Sequence, residues 1–338
     1  MKLGKASFKF NNVYLEETAT VVGDMESKGP LADHFDLHES DPYFGQKSWE
    51  QAEIQMSTLA IKKALEKAGL QESDIHLAFG GDLVNQIVPS NYVMRQFDIP
   101  FFGVYSACAS GIQALILAST YIANHLATRG LAFASSHNNL AEKQFRNPVE
   151  YGAPKGETAQ YTTTGAGAAI ASNVPSTISI ESATIGAVVD YKQKDPADMG
   201  SAMAPAAALT IKQHFEDLHL NPNYYDLIVT GDLSDKGSPL LIDLLKQVGY
   251  DISDRHQDCG SLIYAQESPT FAGASGAGCV SVVTFGYLCD LLRTGKVSRI
   301  LVVATGALLN PLIMAQKESI PCVAHAIALT SPSGGGSQ

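Results

Sequence analysis

The chain has 338 residues, with 23 Lys and Arg against 34 Asp and Glu, a formal charge of −11. Hydrophobic residues at 45% and charged residues at 17% exclude a disordered polymer. The acidic balance excludes a binder of phosphate backbones, which needs clustered Lys and Arg, and the length suits two domains or one large α/β body.

The opening stretch "MKLGKASFKFNNVYL" lacks the apolar core and cleavage site of a secretory signal. A helix ending near Leu70 is expected next, then a polar turn and an apolar strand closing on Gly81-Asp82-Leu83. A second strand from Ile99 runs into the small-residue turn "SACASG" and a long apolar helix, and a third covers "LAFASS". The polar loop "SSHNNLAEKQFRNP" and the glycine-rich segment "TTTGAGAAIAS" follow. Beyond residue 173 the same succession returns: a helix, a strand closing on Gly231-Asp232-Leu233, an apolar helix after "FAGASGAGC", and strands "ILVVATGALL" and "VAHAIAL". The tail "TSPSGGGSQ" has linker composition. The most apolar stretches are interrupted by Gln113, Asn124 and His125 or by Asn310-Pro311, so they read as buried core elements, not membrane spans. Five cysteines without a spaced framework suit reduced thiols.

The recurrence is a repeat. Residues 60–83 align with 210–233 at a constant offset of 150, pairing Ile61 with Ile211, Leu77 with Leu227 and Asp82 with Asp232. Residues 99–119 over 268–288 and 131–140 over 300–309 share an offset of 169, so the second copy carries an insertion, expected around 238–264. Two halves follow, 1–172 and 173–330, with a disordered tail at 331–338. Strands alternating with helices predict a mostly parallel sheet covered on both faces.

Cys108 falls at a strand-to-helix turn, where unpaired N–H groups and the helix dipole favour a thiolate or a bound carboxylate. With a repeated βαβαβ half around it, "SACASGIQA" resembles the nucleophile turn of the thiolase/β-ketoacyl synthase superfamily. The resemblance implies a thiolase-like α-β-α-β-α sandwich of two halves, a homodimer, and an acyl-accepting role for Cys108. "GDLVNQIVPSNYVMRQFDIPFFGVYSACAS", "SSHNNLAEKQFRNPVEYG", "DPADMGSAMAPAAALTIKQHF" and "QKESIPCVAHA" further resemble the stage V sporulation protein AD family of spore-forming bacteria. That likeness implies binding of dipicolinic acid (pyridine-2,6-dicarboxylate) and a role in moving it into the developing spore. It also implies membrane-embedded partners from the same operon and a peripheral place at the forespore or spore inner membrane.

The superfamily's catalytic set is incomplete in this chain. Where the second half should supply His or Asn, Asp232 stands, and a carboxylate beside a thiol raises its pKa. Cys322 lies where thiolases keep a second cysteine, and His325 is the histidine nearby in sequence. An acyl-CoA-handling enzyme using Cys108 is therefore the alternative to a binding protein. A dicarboxylate ligand instead needs donors at both ends and a flat apolar slot. The candidates are Cys108 and Ser110 at the helix start, then His137, Asn138, Lys143 and Arg146 in the polar loop, with His325. His137 reads equally as a structural residue, and Arg146 equally as a surface charge. Asp82 and Asp232 suit a dianion only if they orient donors, stay protonated or meet a cation; otherwise they cap the segments that follow them. No cofactor or resident metal is expected, although calcium, which dipicolinate chelates, is a candidate companion. His256-x-x-Cys259 with Cys322-x-x-His325 is only a formal zinc set, and neither a P-loop nor a GxGxxG turn occurs.

Overall fold

A computed structural model describes residues 2–145, 155–265 and 270–331. Arg146 and the tail from 332 onward lie outside the described residues. Ten strands, five from each half, form the continuous path of a 13-stranded sheet, with three short strands pairing off it among the described residues. The first half contributes β1 (Tyr14–Val22), β2 (Leu77–Gly81), β3 (Phe101–Gly103), β4 (Arg129–Ser136) and β5 (Gly165–Ser172). The second contributes β6 (Ile178–Ile185), β7 (Leu227–Thr230), β8 (His256–Asp258), β9 (Arg299–Ala307) and β10 (Cys322–Thr330). The spatial order is β3-β2-β4-β5-β1 in one half and β8-β7-β9-β10-β6 in the other, so each strand has a counterpart five numbers on. The halves join where β1 and β6 pair through Leu15 with Ile178 and Tyr14 with Ser179.

The expected mostly parallel sheet is mixed. β2 pairs in parallel with β3 and β4, but β5 runs antiparallel between β4 and β1, and the second half repeats this pattern. The cause is that the last strand of each half returns from β4 or β9 without a crossover to the same edge, which reverses its direction.

Helices fill three layers. α1 (Trp49–Ala68) and α2 (Val88–Met94) lie with the first half, and α3 (Ser110–Ala123) leads from β3 to β4. α4 (Asn138–Phe145) follows β4. In the second half come α5 (Met199–Leu218) and α6 (Ser234–Gln247), then α7 (Ala277–Val282), which passes through a π-helical turn into α8 (Cys289–Arg293). A short α9 (Pro311–Ala315) follows β9.

Ile112, Leu115 and Ile116 of α3 meet Val280, Val282 and Phe285 in one buried cluster, which also receives Phe79 and Ala132 from the first half and Val302 and Ile327 from the second. That cluster is the shared central layer. Met56 and Ile61 of α1 pack with Leu131, Phe133 and Ile170 on one outer face, and Met203, Ile211 and Phe215 of α5 pack with Leu301, Val303 and Ala326 on the other. The layering is therefore α-β-α-β-α, a thiolase-like sandwich.

The repeat reaches the backbone. Ser48 caps α1 by accepting from the Gln51 N–H, and Asp198 caps α5 by accepting from the Ser201 N–H. Gly69 (φ 66) closes α1 and His219 (φ 55) closes α5 in the same left-handed conformation. One alignment is displaced. The strand matching β3 is β8 at His256–Asp258, not the segment near Phe271; the insertion therefore falls partly in the longer α6 and mainly between β8 and α7.

Candidate functional site

The site forms where the turn after β3 meets the strand ends of the second half. Ala107 adopts a left-handed backbone (φ 51), a conformation that costs a residue with a side chain about 1 kcal/mol. Its counterpart before α7 is Gly276 (φ 111). The turn is braced from within: the Ser110 hydroxyl donates to the Ala107 carbonyl at 2.7 Å and accepts from the Ser106 N–H at 3.1 Å. It also rests directly on β9, since a Cβ placed on Gly306 would sit 2.1 Å from the Ser106 oxygen. This packing sets Cys108, only 6% exposed, against the second half.

Asp232, fully buried beyond the end of β7, faces the Cys108 thiol closely enough to be hydrogen-bonded to it. Its Oδ1 accepts from the Thr305 hydroxyl at 2.6 Å and its Oδ2 from the Gly276 N–H at 3.1 Å. Burial raises the Asp232 carboxyl to about 6 against the pull of these hydrogen bonds. Burial, then the charge of Asp232, pushes the Cys108 thiol well above its ordinary range, so the sulfur is held as S–H.

A cavity of about 230 Å³ opens onto Cys108. Leu83, Ala107, Phe145, Leu309 and Met314 supply apolar wall, and Tyr105, Glu142, Lys155 and Gln160 supply polar groups. Burial lifts the Tyr105 hydroxyl to about 12, so it stays a donor. Lys155 pairs with Glu142 at 2.7 Å and lies 5.1 Å above the Tyr161 ring. The Gln160 amide donates to the Asp232 carbonyl at 2.5 Å and to the Ser234 hydroxyl at 2.9 Å, tying the first half to the second.

The other candidates disperse. Asp82 lies buried at the end of β2, where its carboxylate accepts from the Val84 N–H, the Ser90 N–H and the Ser90 hydroxyl at 2.6–2.8 Å. It therefore caps α2. Ser110 is fully buried inside its turn. The His137 Nε2 donates to the Pro42 carbonyl at 2.8 Å, and the ring stands 5.5 Å from Trp49. Asn138 starts α4, its N–H on the Thr164 hydroxyl at 3.1 Å. The His325 Nδ1 accepts from the Gly186 N–H at 3.3 Å, and burial pushes the ring down to about 4. Lys143 pairs with Glu50 on the surface.

Cys322 packs into the cluster beneath α5. His256 bonds the Thr230 hydroxyl, and no metal-holding group of three His, Cys, Asp or Glu exists among the described residues. Of the residues singled out in the sequence, Cys108 lines the cavity and Asp232 lies buried against its thiol. Tyr105, Glu142 and Thr305 come from segments already quoted but were not singled out in them, and Lys155 and Gln160 come from a segment that carries no motif.

A family model described as stage V sporulation protein AD matches residues 4–330. The stage V sporulation protein AD of Bacillus subtilis (strain 168) is 47% identical over 336 residues, 99% of each chain. Among solved structures, an OleA variant from Xanthomonas campestris superposes with a TM-score of 0.62 at 16% identity, over 96% of this chain and 99% of that one. The 3-oxoacyl-(acyl-carrier-protein) synthase III of Aquifex aeolicus VF5 superposes with a TM-score of 0.54 at 15% identity, over 94% and 99%. These two likenesses bear on the fold alone.

Proposed function

The chain belongs to the stage V sporulation protein AD family, and on that premise we propose that it binds dipicolinate and assists its movement into the developing spore. The observation that carries the reading is the Cys108 cavity. At about 230 Å³ it lies below the range of roughly 300–1,000 Å³ typical of pockets for larger ligands, and so suits a single ring. Apolar side chains offer faces for that ring, while the Tyr105 hydroxyl, the Lys155 ammonium and the Cys108 S–H are donors for carboxylates. Arg146, four residues beyond Glu142 in sequence, is a further candidate clamp. Calorimetry with dipicolinate, and with isophthalate as the control lacking the ring nitrogen, tests the reading. Saturable binding at or below millimolar ligand is expected, and its absence would sink the idea.

Acyl transfer is the second reading, favoured by the strained turn that presents Cys108. Against it stands a thiol held protonated beside Asp232, with no histidine among the described residues hydrogen-bonded to it. Intact mass after incubation with acetyl-CoA decides: a Cys108 thioester with release of CoA thiol would revive it.

No helix among the described residues is long and apolar enough to cross a membrane. We assign the crossing itself to membrane-embedded partners, with this chain peripheral at the forespore membrane. The working assembly is a homodimer, which light scattering at micromolar concentration checks.

A further inference from the structure

The charge around the Cys108 cavity does not match a free dianion. Lys155 is the one basic side chain lining the cavity among the described residues, and Glu142 already pairs with it. Asp232 lies buried against the thiol, so an anion resting on Cys108 would meet its charge.

The groups facing Asp232 do not offset that charge. Cys108 lies on the turn before α3, Asp258 at the end of β8, Cys259 just beyond it, Cys279 on α7 and Cys322 on β10, all within electrostatic reach. The hydrogen-bond partners Thr305 and Gly276 are neutral. None of these groups is a cation.

We propose, building on the dipicolinate reading, that the pocket takes up its anionic ligand together with one proton, which lands on the Asp232 carboxylate and releases the Cys108 S–H to the ligand. In the empty site the thiol lies against the Asp232 carboxylate. A solvent proton bonds to that carboxylate, cancelling its charge. The new O–H donates to the Cys108 sulfur, and the S–H turns to a ligand carboxylate. No covalent bond other than this O–H forms, and nothing is oxidised or reduced. Asp232 starts close enough to neutrality for this exchange, since burial has already lifted it to about 6. Ligand carboxyls ionise near or below the ordinary range of about 4, so at neutral pH the titrating group is the protein's.

The experiment is calorimetry of the full chain with dipicolinate in calcium-free HEPES and Tris, buffers whose ionisation enthalpies differ, from pH 6.5 to 8.5. The expected result is uptake approaching one proton per ligand at the upper end, with affinity falling by up to about tenfold per pH unit. Asp232→Asn mimics the protonated acid: it should take up no proton and hold its affinity flat, binding more tightly than wild type at pH 8.5. A wild type with constant affinity and no proton uptake overturns the proposal, as does a D232N variant that keeps the wild-type pH slope. Dipicolinate that binds without a proton defeats this inference alone, whereas no saturable binding at any pH removes the dipicolinate reading and this inference with it. The wild-type titrations decide even if the variant fails to fold.

Discussion

Asp82 and Asp232 occupy the same place in the two halves, each closing a Gly-Asp-Leu strand end, yet they do different work. Asp82 directs its carboxylate at the first turn of α2. In the second half the equivalent task passes to Asp258, which accepts from the Leu233 and Ser234 N–H groups at 2.9 and 2.8 Å. Asp232 is thereby released to cross to Cys108, which belongs to the other half. The turns differ likewise: one carries Cys108 at the start of α3, while the equivalent position at the start of α7 is Ala277. In each duplicated pair, then, one member keeps a plain structural place while the other meets its partner from the opposite half. The site exists only where unlike members of the two copies meet.

The sharpest way to break this comparison is to remove each carboxylate. Asp82→Ala leaves the Val84 and Ser90 N–H groups and the Ser90 hydroxyl without an acceptor in a buried setting, and should cost on the order of 3 kcal/mol, read as a lower urea midpoint. Asp82→Asn should recover part of that loss. An unchanged midpoint in Asp82→Ala would show that the cap reading is wrong.

The next effect is smaller and depends on pH. Asp232 is raised from 3.8 to about 6, so the folded chain binds its proton more tightly than the unfolded one. Such a group gives its full stabilisation below the unfolded value and loses it as pH rises through the folded one. Asp232→Asn should therefore gain on wild type between about pH 4 and 6, by on the order of 3 kcal/mol once both Asp forms are ionised. His256 and His325, pushed down to about 4 by burial, run the opposite way in the same window. The difference between variant and wild type is hence the quantity to measure, by urea unfolding at pH 4.5 and 7.5. A difference that does not change with pH would remove Asp232 as the titrating group.

Cys108→Ala tests the ligand-facing side of the comparison. Losing one hydrogen-bond donor should weaken dipicolinate binding about tenfold, about 1.4 kcal/mol. Ala277→Ser, at the equivalent start of α7, should leave affinity unchanged if only the first half's turn faces ligand. Equal losses in both would contradict that asymmetry.

How much of this was legible in the sequence follows from the same residues. The halves showed because helix ends and strand ends keep their offsets, down to Gly69 and His219 in one conformation. The insertion was harder to locate. β8 reads His-Gln-Asp, a half-buried edge strand without apolar alternation, whereas the segment near Phe271 looks more like a strand than it is. Cys108 and Asp232 were visible because a turn and a repeat mark them. Lys155 and Gln160 were not, since they come from a segment with no motif, and Glu142 was passed over in the polar loop for its more basic neighbours; all three meet the cavity only through tertiary packing. The mixed direction of the sheet was likewise a matter of how the last strand of each half returns, which periodicity does not encode.

The smallest expected effect concerns the paired turns themselves. Gly276 meets its left-handed backbone without a side chain, while Ala107 holds a φ of 51 with one. Ala107→Gly removes that steric cost but gives the unfolded chain more freedom to lose, so the net gain should be only about 0.5 kcal/mol. In a chain of this length that is about a degree in Tm. Binding separates the possible roles of the strain. If Ala107 only positions Cys108, a turn already braced by Ser110 and Gly306 should keep dipicolinate affinity within about twofold despite the substitution. A loss of affinity alongside a rise in Tm would instead show that the rigidity of this turn, absent from its glycine counterpart, is part of how the first half presents its thiol.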